Sequence, residues 1–373
     1  MSRINLNKRI SLGQATHAIR TVGDQRTIIL KGEPGIGKSW VLKTLGQQMP
    51  THRTVYMDCQ LLLDQGDFFY PTIEVTEAGA KVAKRVPLED FDFSDPTPVI
   101  FMLDEIGKAN KSVMNVLLTL MYDRRVGHNH LPAGSIVFGT TNLTTDGVGD
   151  FIAAHARSRA VMVVVNKPHA GFHADGSVDA DSFGYFALNN DFDPGVTAWV
   201  KMNPHCLDSY LDHTGGEKWD NPYPFHPTQG AESYVCPRSL HAASDIAKQR
   251  DELGHELTLA LLAGAAGEAF ARSFSAFLMI QNKVATADAI AAAPESATVP
   301  AASDAVALCV TVLNLVSYTS AKSIDALVTY MQRLPLEYQA LFARSLAANN
   351  SKKDIATKCD AFRKWALANH WMF

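Results

Sequence analysis

Cysteine is scarce: five residues in 373 (Cys59, Cys206, Cys236, Cys309 and Cys359), widely spread and never in C-x-x-C spacing. An odd, scattered set signals neither a disulfide framework nor a cysteine zinc site, so these thiols are expected as small core or surface side chains. Excess charge is missing as well. With 34 Lys and Arg against 38 Asp and Glu, nothing in the global balance supports a nucleic-acid partner, although a local basic patch stays open. Long apolar runs are absent too. The longest, "LTLALLAGAAGEAFARSFSAFLMI", is interrupted by Glu268 and Arg272, and the opening "MSRINLNKRISLG" lacks the apolar core of a signal peptide. No membrane segment is expected, and a cytoplasmic protein is the simplest reading.

What is present is the composition of an ordinary globular protein, 47% hydrophobic and 19% charged, on a chain long enough for two or three domains. From about residue 25 to 166, short apolar runs alternate with helical segments: "TIIL" (27–30), "TVYMD" (54–58), "PVIFMLD" (98–104), "SIVFGTT" (135–141) and "AVMVVV" (160–165). Continuous rather than alternating apolar strands suit a parallel sheet covered on both faces, an α/β layer architecture. Residues 167–237 turn rich in Pro, His, Asp and aromatics around helix-like pieces near 182–190 and 194–202. The chain then reads helical to about 283. "AAAPESATVPAAS" resembles a linker, and helices are expected again from 304 to 373.

The chemistry begins at "GEPGIGKS", residues 32–39, which matches G-x-x-x-x-G-K-[ST] between a strand and a helix. The loop, read as Gly32, Glu33, Pro34, Gly35, Ile36, Gly37, Lys38 and Ser39 with Trp40 opening the helix, can turn backbone N–H groups onto phosphate oxygens. Lys38 reaches the β and γ phosphates, and Ser39 can ligate Mg2+. A buried strand ending in Asp104 and Glu105 delivers two carboxylates to the edge where ligands of open α/β sheets bind. Asp104 suits Mg2+ coordination, and Glu105 suits activation of a water against the γ-phosphate. The strand "SIVFGTTN" ends in Asn142, an amide able to orient that water or sense the γ-phosphate. Arg157 and Arg159 stand just before the last strand, where an arginine could neutralise transition-state charge in a neighbouring subunit.

Together the phosphate loop, the Asp-Glu strand end, the strand-terminal Asn, the arginine before the last strand and "CPRSL" after a helical stretch resemble the AAA+ ATPases. The nearest resemblance is to the MoxR-like and dynein-related branch, which includes ATPase subunits of metal chelatases. It implies a P-loop NTPase core with a parallel sheet over residues 1–167, an α-helical lid with a Pro/His-rich insertion over 168–290, and a C-terminal helical region over 304–373. It also implies ATP and Mg2+ as cofactors and a homo-oligomeric ring, usually hexameric. By the same resemblance Lys38, Ser39, Asp104 and Glu105 are the Walker residues and Asn142 the first sensor. Arg159 is the arginine finger with Arg157 in reserve, and Arg238 in "PRSL" is similar to the second sensor. The implied work is remodelling or assembly of a protein partner, possibly one with a von Willebrand factor A domain.

Two rival readings differ in class. A DNA-directed motor needs positive charge converging on a pore, and a nucleotide-gated scaffold with little turnover has small use for Glu105 and Arg159. "GDFFYPTIEV" (66–75) falls where this branch carries a pore-facing hairpin; Phe68, Phe69 and Tyr70 either grip a polypeptide or fill space beneath a long loop. His128, His130, His169, His173, His205, His213 and His226 show no i,i+4 pair around a carboxylate and are read as solvated or locally bonded rather than metal ligands. Trp365 and Trp371 in "FRKWALANHWMF" are expected on a helix docked on the body.

Overall fold

The computed structural model describes residues 8–91, 93–143, 158–213, 219–281 and 284–372. The chain divides into two compact units, Met1–Lys167 and Pro168–Phe373.

In the first unit, helix α1 (Leu12–Val22) starts at Ser11, whose hydroxyl accepts from the Gln14 amide while the Gln14 side chain returns to the Ser11 N–H, a reciprocal cap for the first turn. Strand β1 (Ile28–Lys31) runs into the glycine loop, followed by α2 (Trp40–Gln48). Next come β2 (Arg53–Asp58), the ribbon β3 (Phe69–Val75) and β4 (Lys81–Pro87), and β5 (Val99–Asp104). Helix α3 (Lys111–Asp123), the short pair β6 (Arg125–Val126) and β7 (Asn129–His130), β8 (Ile136–Thr141) and β9 (Val161–Val164) complete the unit. Five strands form one parallel sheet in the order β2-β5-β8-β1-β9.

The sheet's apolar runs are continuous because alternate residues serve different cores. On β5, Val99, Phe101 and Leu103 join α3 and Phe68, Phe69 and Phe91 in one cluster. Ile100 and Met102 face the other way, into a cluster with Ala15 and Ile19 of α1 and Val41 and Leu45 of α2. Ile136 and Phe138 of β8 keep the same parity. Even-numbered positions of β5 and β8 therefore point toward α1 and α2, and that parity places the functional side chains.

β9 is more exposed than its continuous apolar run suggests. It is a sheet edge, with Val161 45% exposed. Apolar composition shows that a strand packs, but not whether it has a neighbour on each side.

The second unit is helical around one hydrophobic cluster that draws residues from both 168–290 and 304–373. Trp199 on the helix Pro194–Met202 is fully buried, meets Phe270 edge-on at 4.7 Å and donates its indole N–H to Ser273 Oγ at 3.0 Å. The helix Ala305–Tyr318 buries nine residues, and a helix apolar around its circumference belongs in the centre of such a layer. The stretch 291–303, expected as a linker, is instead packed. Ala297 and Val299 lie against the cluster, Thr298 O accepts from Tyr330 OH at 2.8 Å and Pro294 O accepts from Arg333 at 2.6 Å. Small residues and prolines make a linker in water, but they also let a chain lie close against helices, and here the second property prevails. Trp365 is docked as expected, its indole donating to Gln339 Oε1 at 2.8 Å, while Trp371 is 65% exposed.

Candidate functional site

The glycine loop turns sharply where β1 ends. Gly35 and Gly37 have φ of +73° and +100°, a region that strains residues with a Cβ. A Cβ on Gly32 would stand 2.7 Å from Ile36 Cδ1 and 2.8 Å from Val165 Cγ2, so a side chain at the loop's entry would force both neighbours to shift. Glu33 and Ile36 are buried and Pro34 is half-buried. Trp40, at the start of α2, faces the Lys43 ammonium at 3.9 Å from its ring.

Lys38 is folded back into this loop. The residue is only 7% exposed, and its Nζ donates to Gly32 O at 2.8 Å, Glu33 O at 2.9 Å and Asn142 Oδ1 at 2.9 Å. Asn142 in turn donates from Nδ2 to both oxygens of Glu105, at 2.9 and 3.0 Å. The amide's two ends thus tie the Lys38 ammonium to the Glu105 carboxylate. Glu105 itself is in the left-handed region with φ +51°, and its N–H bonds to Thr140 Oγ1 at 3.3 Å. Lys108 approaches its carboxylate at 3.6 Å. A non-glycine residue held at positive φ is uncommon, and such positions cluster at functional sites.

Asp104 follows the even parity of β5 and faces the α2 side. Its Oδ2 accepts from Ser39 Oγ at 3.1 Å and from Tyr56 OH at 2.9 Å, and its Oδ1 accepts from Thr140 Oγ1. Three hydroxyls from three elements thus fix one carboxylate. Beside it the Cys59 thiol is buried, and burial followed by the charge of Asp104 pushes its pKa upward. A thiol so placed is inert.

The remaining expectations fall unevenly. Arg159 is exposed, its guanidinium 5.8 Å from the Tyr122 ring centroid. Arg157 lies outside the described residues. Arg238 is exposed in the first turn of the helix Pro237–Lys248, in the second unit. Phe68 and Phe69 do not form a grip: they are 0% and 9% exposed, with Phe68 5.1 Å from the Phe91 ring. Tyr70 is exposed, and the outward apolar residues of the ribbon are Tyr70, Ile73, Val75, Val82 and Val86. Among the described residues no group of three or more His, Cys, Asp or Glu is arranged to hold a metal ion. His173 and His169 lie 2.9 and 3.6 Å from Asp179, and His213 and His226 pack on Trp219. No described helix is long and apolar enough to cross a membrane.

Thr140 and Tyr56 were not anticipated. Their signal was parity: position 140 on β8 and 56 on β2 share the face of Asp104.

A glycine loop between strand and helix, with its lysine and serine joined to the carboxyl edge of a parallel sheet, defines a P-loop nucleotide-binding domain. Residues 27–135 match the AAA domain of the dynein-related subfamily, and this segment is such a domain. The match ends before Asn142, Arg159 and Arg238. Similar solved structures include a candidate ATPase of Cytophaga hutchinsonii, 16% identical over 42% of this chain with a TM-score of 0.29; the match spans 47% of that protein. RuvB, the Holliday junction branch migration motor of Thermotoga maritima, is 14% identical over 76% of this chain and 79% of its own, with a TM-score of 0.33. NtrX of Brucella abortus is 14% identical over 98% of this chain and 68% of its own, with a TM-score of 0.32. At these identities and TM-scores none bears on activity. No curated protein matches the sequence.

Proposed function

We propose that the chain is a Mg2+-dependent ATPase of AAA+ type, working as a homo-oligomeric and most simply hexameric ring, and that hydrolysis drives remodelling or assembly of a protein partner. The observation that carries the reading is the pair of connected contacts at the sheet edge, Lys38–Asn142–Glu105 and Ser39–Asp104. The chemistry of these groups supports the reading. Ser39 Oγ and the Asp104 carboxylate are hard oxygen donors suited to Mg2+. The buried Lys38 ammonium holds neutral acceptors that a phosphate oxygen can replace with a stronger, charge-assisted bond.

In this reading Ser39 and Asp104 hold Mg2+, which when bound neutralises charge on the phosphates. Asn142 and Glu105 position a water in line with the γ-phosphorus. As the water oxygen bonds to phosphorus and the bond to the β–γ bridging oxygen breaks, Glu105 takes the water's proton and ADP leaves with the negative charge. Arg159 of a neighbouring subunit and Arg238 of the helical unit are assigned to the γ-phosphate. The exposed apolar ribbon β3–β4 supports a polypeptide partner, for which a protein with a von Willebrand factor A domain is the class to try first. Phosphate release from ATP in Mg2+ and in EDTA, with particle mass measured by light scattering with and without ATP, tests the reading. Mg2+-independent release, or a monomer under every nucleotide condition, would remove it.

A further inference from the structure

We infer that Tyr56 is a positioning residue for the cation site: its phenol holds the Asp104 carboxylate in the rotamer that presents Oδ2 to Ser39. The inference rests on the assignment of Ser39 and Asp104 to Mg2+ given above. β2 is an edge strand, paired with β5 in register from Arg53–Val99 to Asp58–Asp104. Odd residues of β2 go inward, with Met57 buried in the cluster on the α3 side. Even residues share the face of α2, so Tyr56, opposite Met102, reaches along the sheet toward its carboxyl edge.

The ring is 54% exposed as a residue, too open to be retained for packing alone, yet its hydroxyl meets Asp104 Oδ2 at 2.9 Å. That oxygen is the one Ser39 Oγ contacts at 3.1 Å, while Thr140 occupies Oδ1. Asp104 is thus held from both sides. Thr140 and Tyr56 fix the plane of the carboxylate, and Ser39 marks the direction in which it faces. If Ser39 Oγ turns to a bound cation, Tyr56 is the donor that keeps Oδ2 from rotating after it. A tyrosine can do this without competing for the metal, because its phenol O–H donates to Oδ2 and a phenol is not among the hard oxygen ligands that Mg2+ prefers.

Tyr56→Phe removes one oxygen and nothing else. The test is a fluorescent ATP analogue titrated onto the full chain in EDTA and across a Mg2+ series, alongside Lys38→Ala and thermal unfolding. The expected result is unchanged affinity in EDTA and unchanged melting, with the Mg2+ concentration at half-effect raised roughly tenfold, as befits one lost hydrogen bond to a charged group. A Mg2+ midpoint equal to wild type would overturn the inference. So would equal weakening with and without Mg2+ together with a lower melting temperature, since that is the mark of a structural role. If wild type itself shows no nucleotide binding or no Mg2+ dependence, the assignment of the site fails instead, and the two failures are told apart.

Discussion

Lys38 and Glu105 are joined through one amide, yet they should fail differently when replaced. Lys38→Ala deletes the cation whose bonds to Gly32 O, Glu33 O and Asn142 Oδ1 place it in the phosphate loop. Nucleotide affinity is expected to fall by roughly a hundredfold or more, the worth of charge-assisted bonds to two phosphates. Glu105→Gln keeps shape and the contact with Asn142 but cannot take a proton, so binding survives and turnover falls by about 10² to 10⁴. Equilibrium binding and steady-state phosphate release on the two variants check this, and equal loss of affinity in both would contradict the assigned roles. Asp104, Glu105 and Asn142 were legible in the sequence because each closes or follows an apolar strand, and Ser39 because it ends the glycine-loop motif. Tyr56 and Thr140 were not, since a hydroxyl inside a strand reads as filler until the register shows which face it shares. The left-handed conformation of Glu105 was equally invisible: nothing in "LDEIGK" calls for positive φ.

At the level of elements, the strands are readable as continuous apolar runs, whereas the aromatic start of the ribbon β3–β4 leaves grip and filling open. "FFY" fits a surface grip or filling beneath a loop equally well, because adjacency of the aromatics does not say which way each one points. Phe68 lies just before the strand, its carbonyl accepting from Leu88 N–H at 3.1 Å, and is buried with Phe69, the first residue of β3, after which alternation turns Tyr70 outward. Phe68→Ala should then cost about 3–5 kcal/mol of stability, as deletion of a buried aromatic does. Ile73→Ser, at a residue 73% exposed, should stay within about 0.5 kcal/mol. Urea unfolding separates them. If the two variants unfolded at the same midpoint, the inward placement of Phe68 would be wrong. On the same ribbon, Pro71, Ile73, Val75 and Ala83 share a face with Lys81 and Arg85, while Glu74 lies on the other face beside Lys84 at 3.1 Å. Partner coupling, if the ribbon serves it, should therefore respond to Ile73→Ser while basal hydrolysis does not.

Over the whole molecule, length predicted more than one domain, and the first unit ends where the last apolar strand ends. The second unit was less legible. A stretch of alanines and prolines can be a tether or a close-packed crossing, and only the bonds from Tyr330 and Arg333 decide between them. Assembly lies one level further out, and there Arg159 gives the sharpest prediction. Within its own subunit the arginine is exposed and touches the Tyr122 ring, so its loss should cost at most about 1 kcal/mol of stability if it serves only locally. A guanidinium offered to the γ-phosphate of a neighbour is instead worth about 10³ to 10⁵ in rate. Arg159→Ala should bind ATP nearly as wild type and hydrolyse it poorly. Mixed with Lys38→Ala, itself inactive, it should regain activity, because mixed rings contain interfaces where an intact loop meets an intact arginine. Phosphate release is measured against mixing ratio, with subunit exchange shown separately by mass. Rescue at intermediate ratios requires action across a boundary, since no residue working inside its own subunit can complement in this way. Demonstrated mixed rings without rescue would shift the role to Arg157 or remove the trans mechanism.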